Sequence, residues 1–281
     1  MSLPANVAVR LCDADKVQSL GYDAPVNNHS LEYLRGWLNL SSEVLIWTYM
    51  GNIDWPLCPY PNYRQVATDI EFLARSGVRG YFAQSAAQPA SDMTELKSYL
   101  IGRTTFDPTL NTTLLVEEFL EGFFGASAAP FVRAYLDVLE AAASVYPGFG
   151  VGGGGVSPSS ALFGNTTVLA AASALRNASA AAAGSGAAKY HERTLRAALP
   201  IQYILLLRWE EYRAFCGETA CAWPGPATKR AAFEEFSDVI QRAGVLLVAI
   251  PSCPSWKVSD CWNKAANVTG LGAWLFPPGS G

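Results

Sequence analysis

Four side chains near the start of the chain have the chemistry of a sugar-binding site. Trp47 and Tyr49 lie near the end of an apolar segment, Asn52 follows that segment, and Gln84 ends a second one. Aromatic rings stack on the apolar faces of sugar rings, and amide groups hydrogen-bond to hydroxyls. We therefore predict that these four residues bind a carbohydrate. The alternative interpretation is that Trp47 and Tyr49 occupy alternating positions of a strand and face the protein core.

Acidic and basic groups that could catalyse a reaction are few in this region. Glycoside hydrolysis normally needs two carboxyl groups that flank the bond, roughly 5 to 10 Å apart. Asp54, just beyond the first apolar segment, is a candidate carboxyl group, and His29 could bind substrate or act as a general acid or base. Asp92 has a structural explanation at the start of a helix. Asp69 falls inside a predicted helix, where we expect it to be solvated.

The elements that must position these residues are two strands and the helix between them. The segments 44–52 and 78–84 each have the pattern of a buried strand, and an amphipathic helix is predicted from Tyr63 to Ser76. Asn62 can cap this helix and Gly77 can end it. A strand–helix–strand order places the carboxyl ends of parallel strands at one edge, where (β/α) barrels have their binding sites.

Helical patterns dominate the rest of the chain. The predicted helices are Asp92–Gly102, Leu114–Phe124, Pro130–Tyr146, Thr166–Ala183, Ala187–Phe215 with a kink at Pro200, and Lys229–Ala243. A glycine-rich stretch, 147–160, is predicted to be a linker, and Val245–Ile250 a short strand. The sequence thus divides into residues 1–146, this linker, and a helical region, 161–281, with a short terminal strand.

The number of strands limits the fold. A complete eight-stranded barrel needs about 250 residues of alternating strands and helices, whereas only three or four strands are convincing here. We predict an α/β fold in which residues 1–146 are the last strands of a partial (β/α) barrel with the helices that follow them. The alternative is a self-contained helical protein that carries a small sheet. A partial barrel would associate with a missing N-terminal half or with another copy of itself.

Charge, asparagines and cysteines restrict the class of protein. The 281 residues carry a net charge of -4 and no basic cluster, which argues against a nucleic-acid partner, and no apolar stretch is long enough to span a membrane. The six asparagines of Asn-x-Ser/Thr sequons are Asn28, Asn39, Asn111, Asn165, Asn177 and Asn267. With six cysteines, they favour a secreted protein with disulfides, although no signal peptide is present in this chain. Neither a metal site nor a cofactor is predicted.

An ordered set of short motifs resembles a known family. The set includes Gly21–Val26, the strand through Trp47, the segment 69–84, and the run 117–125. Their order resembles the domain of unknown function 4838 family, which is associated with glycoside-hydrolase-like barrels of the alpha-glucuronidase and hexosaminidase type. The resemblance covers roughly residues 1–140 and implies a carbohydrate-active barrel. The family's strand commonly reads Trp-Asp-Tyr, and Thr48 stands in place of that aspartate here.

Two functions remain open from the sequence. The first is a glycoside-hydrolase-like barrel fragment that acts on or binds a polysaccharide, in which Asp54 and His29 would be catalytic. The second is a non-catalytic carbohydrate-binding or interaction module that lacks a complete active site, which the Thr48 departure favours. Trp47, Tyr49, Asn52 and Gln84 would line the substrate side of this site. A third possibility is an incomplete gene product without independent activity.

Overall fold

The computed structural model describes residues 2–85, 89–146 and 155–245, together with residues 271, 275 and 276. Over these ranges the protein has a three-stranded sheet and nine α-helices. The strands are β1 (Val9–Cys12), β2 (Val44–Tyr49) and β3 (Gly80–Gln84). The helices are α1 (Asn28–Leu40), α2 (Gln65–Ser76), α3 (Thr94–Phe106), α4 (Thr112–Phe124), α5 (Ala129–Val145), α6 (Asn165–Gly184), α7 (Ala188–Leu207), α8 (Trp209–Thr219) and α9 (Lys229–Arg242).

The sheet has the order β1-β2-β3, and both neighbouring pairs are parallel. Helix α1 connects β1 to β2, and α2 connects β2 to β3. The predicted α/β class is confirmed to this extent: the chain is mixed, mainly helical, and contains a small parallel sheet. Because the three strands run in the same direction, their carboxyl ends lie at one edge.

The two faces of the sheet have different surroundings. On one face, Val44 and Ile46 are fully buried and pack with Leu31 and Leu34 of α1 and Leu73 of α2. The alternate residues of the strands point to the opposite face and are exposed or half-buried. We call this second surface the open face; it consists of Arg10, Cys12, Leu45, Trp47, Tyr49, Phe82 and Gln84.

The predicted ends of the helices are confirmed where glycine sets them. Gly77 ends α2 with a φ of 97°, and Gly125 ends α4 with a φ of 84°, values that glycine adopts without steric cost. The prediction that Asn62 caps α2 is wrong. Arg64 occupies the cap position, and the buried Asn62 instead directs its Nδ2 to the carbonyl of Tyr49 at 3.5 Å.

The long helix predicted for Ala187–Phe215 is divided into α7 and α8. Pro200 lies inside α7, and the helical path ends at Arg208, whose φ and ψ are -115° and 32°. The guanidinium of Arg208 donates to the carbonyl of Phe163 at 2.8 Å and pairs with Glu211. These contacts hold the junction of the two helices against the segment that precedes α6.

One apolar core runs through most of the protein. It extends from Met50 and Leu57 after β2, through α3–α7, to Ile240 on α9. Helix α6 packs along both α5 and α7, so this core lies on both sides of the predicted linker. The division of the chain at 147–160 stays a prediction, and 147–154 lies outside the described residues.

The described cysteines include one disulfide, between Cys216 and Cys221. Cys12 is exposed and Cys58 is buried, both as free thiols. Cys253, Cys261 and most of the predicted strand Val245–Ile250 lie outside the described residues. Across the described ranges, no helix is both long and apolar enough to cross a bilayer.

Candidate functional site

Three of the four predicted sugar-binding residues lie together on the open face. Trp47 pairs with Phe82, and Tyr49 with Gln84, in the register of β2 and β3. The indole Nε1 of Trp47 donates a hydrogen bond of 3.0 Å to Oε1 of Gln84. The Trp47 ring is 6.3 Å from the Tyr49 ring and 5.7 Å from the Phe82 ring, centroid to centroid. The result is a continuous aromatic surface with an amide at its edge.

Phe82 is a member of this surface that the sequence analysis did not single out. Half of its side-chain surface is exposed, at 50%, and its ring stands edge-on to Trp47 with an interplanar angle of 76°. The sequence contained the information needed to predict Phe82, because residues two positions apart on a strand share a face. Phe82 is two positions before Gln84, so any prediction that used Gln84 should have included it.

Tyr49 connects the aromatic surface to β1. Its hydroxyl lies 3.6 Å from the Sγ atom of Cys12, which is exposed on the same face. Partial burial, together with the hydrogen bond to Cys12, raises the pKa of Tyr49 to about 12. The phenol is therefore neutral at physiological pH and can both donate and accept a hydrogen bond.

The structure does not bring Asn52 to the open face. Asn52 is buried, its Nδ2 donates to the carbonyl of Val156 at 2.7 Å, and its Oδ1 accepts from the backbone N–H of Trp55 at 3.1 Å. Both ends of the amide are thus engaged with backbone groups. Asn52 fastens the loop after β2 to the segment that leads to α6, which is a structural role.

The two predicted catalytic residues lie outside the strands that form the aromatic surface. Asp54 is half-buried in the loop after β2, and burial raises the pKa of its carboxyl group. His29 is exposed in the first turn of α1, where its ring contacts the Tyr33 ring edge-on at 4.2 Å. No hydrogen bond, ion pair or ring contact joins either residue to Trp47 or Gln84.

A buried polar cluster near the carboxyl end of β2 was not predicted. Asp92 accepts hydrogen bonds from the Tyr63 hydroxyl at 2.6 Å, the Tyr135 hydroxyl at 2.7 Å and the Tyr60 backbone N–H at 2.8 Å. The explanation of Asp92 as the first residue of a helix is wrong, because α3 begins at Thr94. Three donors satisfy this carboxylate inside the protein, where an unpaired one would be very costly.

Lys97 belongs to the same cluster and is 1% exposed. Its ammonium group donates to the carbonyls of Met50 at 3.0 Å and Tyr60 at 2.8 Å, and lies over the rings of Tyr60 and Tyr63. Burial lowers the pKa of Lys97 to about 8, against the opposing effect of nearby Asp92. Lys97 therefore ties the end of β2 to the loop before α2 from inside the core.

A second buried ion pair corrects the prediction for Asp69. This residue was expected to be solvated, yet it is buried and pairs with the fully buried Lys16 at 2.8 Å. Gln65 also donates to Asp69 at 2.9 Å. Burial raises the pKa of Asp69, while the charge of Lys16 acts in the opposite direction. The pair connects α2 to the loop after β1.

The open face can stack and hydrogen-bond, but its strand positions carry no carboxylate. Glycoside hydrolysis with two protein carboxylates therefore needs groups from the loops, and Asp54 is the predicted one. Among the residues that the structure describes, no three His, Cys, Asp or Glu side chains come together as metal ligands would. The arrangement is best suited to holding a neutral, hydroxyl-rich ring.

Comparison with known proteins finds one family model that matches the part of the chain that carries the sheet. No curated protein and no solved structure matches the chain significantly. The predicted resemblance to the domain of unknown function 4838 family is confirmed over nearly the same residues, whereas the association with glycoside-hydrolase-like barrels stays a prediction. Residues 1–137, which include all three strands and α1–α4, match the family DUF4838, a domain of unknown function.

Proposed function

We propose that the open face binds carbohydrate, with Trp47, Tyr49 and Phe82 as the stacking surface and Gln84 as a hydrogen-bonding group. The observation that carries this proposal is the hydrogen bond between Trp47 and Gln84 on a face that joins neither apolar core. Sugar rings have an apolar side and a rim of hydroxyls, so they complement an aromatic surface with an amide at its edge.

The sheet is also proposed to be a sector of a (β/α) barrel. Three parallel strands with their connecting helices on one face are the repeating arrangement of that fold, and the other face would then line the interior. In such a barrel the carboxyl ends of the strands, where Tyr49 and Gln84 lie, would border the binding site. This would account for aromatic residues on a face that the helices leave open.

Binding without hydrolysis is the function that the geometry favours. The open face carries no acidic strand residue. The Thr48 departure does not bear on this choice, because Thr48 points to the opposite, buried face, where its hydroxyl donates to Gln18 Oε1 at 3.1 Å. A hydrolase is the second candidate, and one observation favours it. The raised pKa of Asp54 keeps its carboxyl group protonated to a higher pH, which is a property of general acids in glycosidases.

Substitution of the central indole tests the binding proposal. In a screen of soluble neutral polysaccharides, Trp47→Ala should lower affinity by about 1 to 3 kcal/mol, as loss of an aromatic hot spot does. Trp37→Ala is the matched control, because Trp37 is a partly exposed tryptophan on α1, away from the open face. Unchanged glycan affinity in a folded Trp47→Ala protein would contradict the proposal.

A separate experiment distinguishes the two candidates. If the protein is a hydrolase, it should release reducing ends from a polysaccharide that it binds, and Asp54→Asn should abolish this release. Glu43→Gln is the control, because Glu43 is an exposed carboxylate near β2. If the wild-type protein binds but releases nothing, the non-catalytic function stands and the hydrolase is excluded.

A secretory location is the last part of the proposal. Four sequon asparagines, Asn28, Asn39, Asn111 and Asn177, are exposed, and the Cys216–Cys221 disulfide is of the kind that persists in oxidising compartments. Asn165 is half-buried, and Asn267 lies outside the described residues. Exposed acceptors and a disulfide support a protein that passes through the secretory pathway.

A further inference from the structure

A cavity among the described residues lies in the helical region, away from the sheet. It has a volume of about 440 Å³ and is bounded by α6, α7, α9 and the segment after Cys221. This volume is in the range of small-molecule sites, roughly 300–1,000 Å³. Most of the side chains that line it are apolar, including Leu175, Ile201 and Leu205.

One wall of the cavity is aromatic and held in place. The rings of Trp209 and Trp223 meet edge-to-face at a centroid distance of 4.8 Å. Trp223 Nε1 donates to the carbonyl of Pro226 at 2.8 Å, and the guanidinium of Arg213 lies over the Trp223 ring at 4.8 Å. The disulfide at Cys221 anchors the start of this segment. The wall is therefore formed before any ligand arrives.

The charged residues around the cavity already have partners. Arg176 pairs with Glu235 at 3.5 Å, and Arg242 pairs with Asp238 at 3.0 Å. Since these four side chains neutralise one another, the cavity offers no unpaired charge from these groups to an ionic ligand. A neutral ligand is the better match to an apolar interior of this kind.

One polar group at the cavity lacks a partner. Gln202 lines the cavity, and no other described residue hydrogen-bonds to its side-chain amide; its Oε1 is buried. A buried acceptor without a donor is unfavourable by about 1–3 kcal/mol. In the conformation described, Oε1 is not accessible from the cavity, so a rotation of the Gln202 amide would present it to a hydroxyl or N–H group on a ligand.

We infer that this cavity binds a neutral, mainly apolar ring compound that carries one hydroxyl or N–H group. The inference is independent of the carbohydrate proposal, because it uses other residues on other helices. It predicts three preferences at once: for an apolar ring, for a hydrogen-bonding group, and against a negative charge.

Three probes with the same ring system test these preferences by calorimetry on the full chain, produced without glycans. We expect 2-naphthol to bind more tightly than naphthalene by about twofold to tenfold, the value of one hydrogen bond. Ionised 2-naphthoate should bind more weakly than both. Gln202→Leu should reduce the affinity for 2-naphthol to that for naphthalene, whereas Gln241→Leu, an exposed glutamine on α9, should not.

A space-filling variant gives a second, independent test. Ser179→Trp places an indole in the cavity from a half-buried position and should abolish binding of both neutral probes. Ser144→Trp, on the exposed side of α5, is the control, and circular dichroism verifies the fold of both variants. The inference is overturned if neither neutral probe binds the wild-type protein, if folded Ser179→Trp binds them unchanged, or if 2-naphthoate binds as tightly as 2-naphthol.

Discussion

Trp47 and Gln84 lie 37 positions apart in the chain and on different strands, yet their side chains share a hydrogen bond of 3.0 Å on the open face. This contact fixes the indole at the centre of the aromatic surface. Because the two side chains share this hydrogen bond, their contributions to the free energy of unfolding should not be independent.

A double-mutant cycle measures this contact. Trp47→Phe and Gln84→Leu should each lower the free energy of unfolding. The double variant should lose about 0.5–1.5 kcal/mol less than the sum of the two single losses, because each single variant already removes the same hydrogen bond. Urea denaturation gives the values. Gln84→Leu combined with Trp37→Phe is the control pair and should be additive. Additivity in the first pair would show that the hydrogen bond does not contribute.

Lys97 should make stability depend on pH in the alkaline range. Burial lowers its pKa from 10.5 to about 8 in the folded protein, so between these values the unfolded chain binds more protons. The contribution of Lys97 to the free energy of unfolding should therefore rise with pH from about 8 to 10.5, by on the order of 3 kcal/mol.

The comparison with Lys97→Met isolates this contribution. Buried Cys58 has a raised pKa, so its contribution to the free energy of unfolding falls as pH rises. Cys58 is present in both proteins and does not affect the comparison. The difference in unfolding free energy between wild type and variant should shift in favour of wild type as pH rises from 8 to 10. A constant difference would mean that Lys97 keeps an ordinary pKa in the folded state.

Gly155 should not tolerate a side chain. Its φ is 68°, and a Cβ atom there would collide with Oδ1 of Asn52. Gly155→Ala should lower the free energy of unfolding by about 1–3 kcal/mol, from backbone strain and the displaced amide. Gly186→Ala is the matched control, because Gly186 has a φ of 72° with nothing near its Cβ position. Equal losses at both sites would show that the Asn52 contact adds nothing.

The tyrosine hydroxyls around Asp92 should matter more than hydroxyls at the surface. Tyr135→Phe removes the donor to Oδ1 of a buried carboxylate and should destabilise the protein by about 1.5–3 kcal/mol, the range for hydrogen bonds to charged groups. Tyr146→Phe, at an exposed tyrosine, should change stability by less than about 0.5 kcal/mol. Thermal and urea unfolding both report the difference.

The exposed sequons should carry glycans when the chain is directed into a secretory pathway. Asn39→Gln and Asn177→Gln should each remove one glycan, seen as a step in electrophoretic mobility that endoglycosidase treatment abolishes. Asn6→Gln, at an exposed asparagine outside any sequon, should leave mobility unchanged. A wild-type protein without glycans from such a host would remove this support for secretion.

The sequence alone determined the local features of the fold. The apolar patterns of β2 and β3 and the glycines at positions 77 and 125 predicted the strands and the helix ends, because hydrophobic period and left-handed backbone are properties of a few neighbouring residues. That Trp47 and Tyr49 share a face was also predictable, since alternate residues of one strand do, whereas Gln84 joins them only through the register of β2 and β3.

Tertiary structure decided which polar groups are available. Asn52 has the chemistry of a sugar ligand, but a contact with Val156, more than 100 residues away, uses its amide inside the protein. Asp69 has the spacing of a solvated helix residue, but it is buried and pairs with Lys16 from the loop after β1. Burial of a polar side chain depends on hydrogen-bond or charge partners from distant parts of the chain, and the local sequence pattern does not identify those partners.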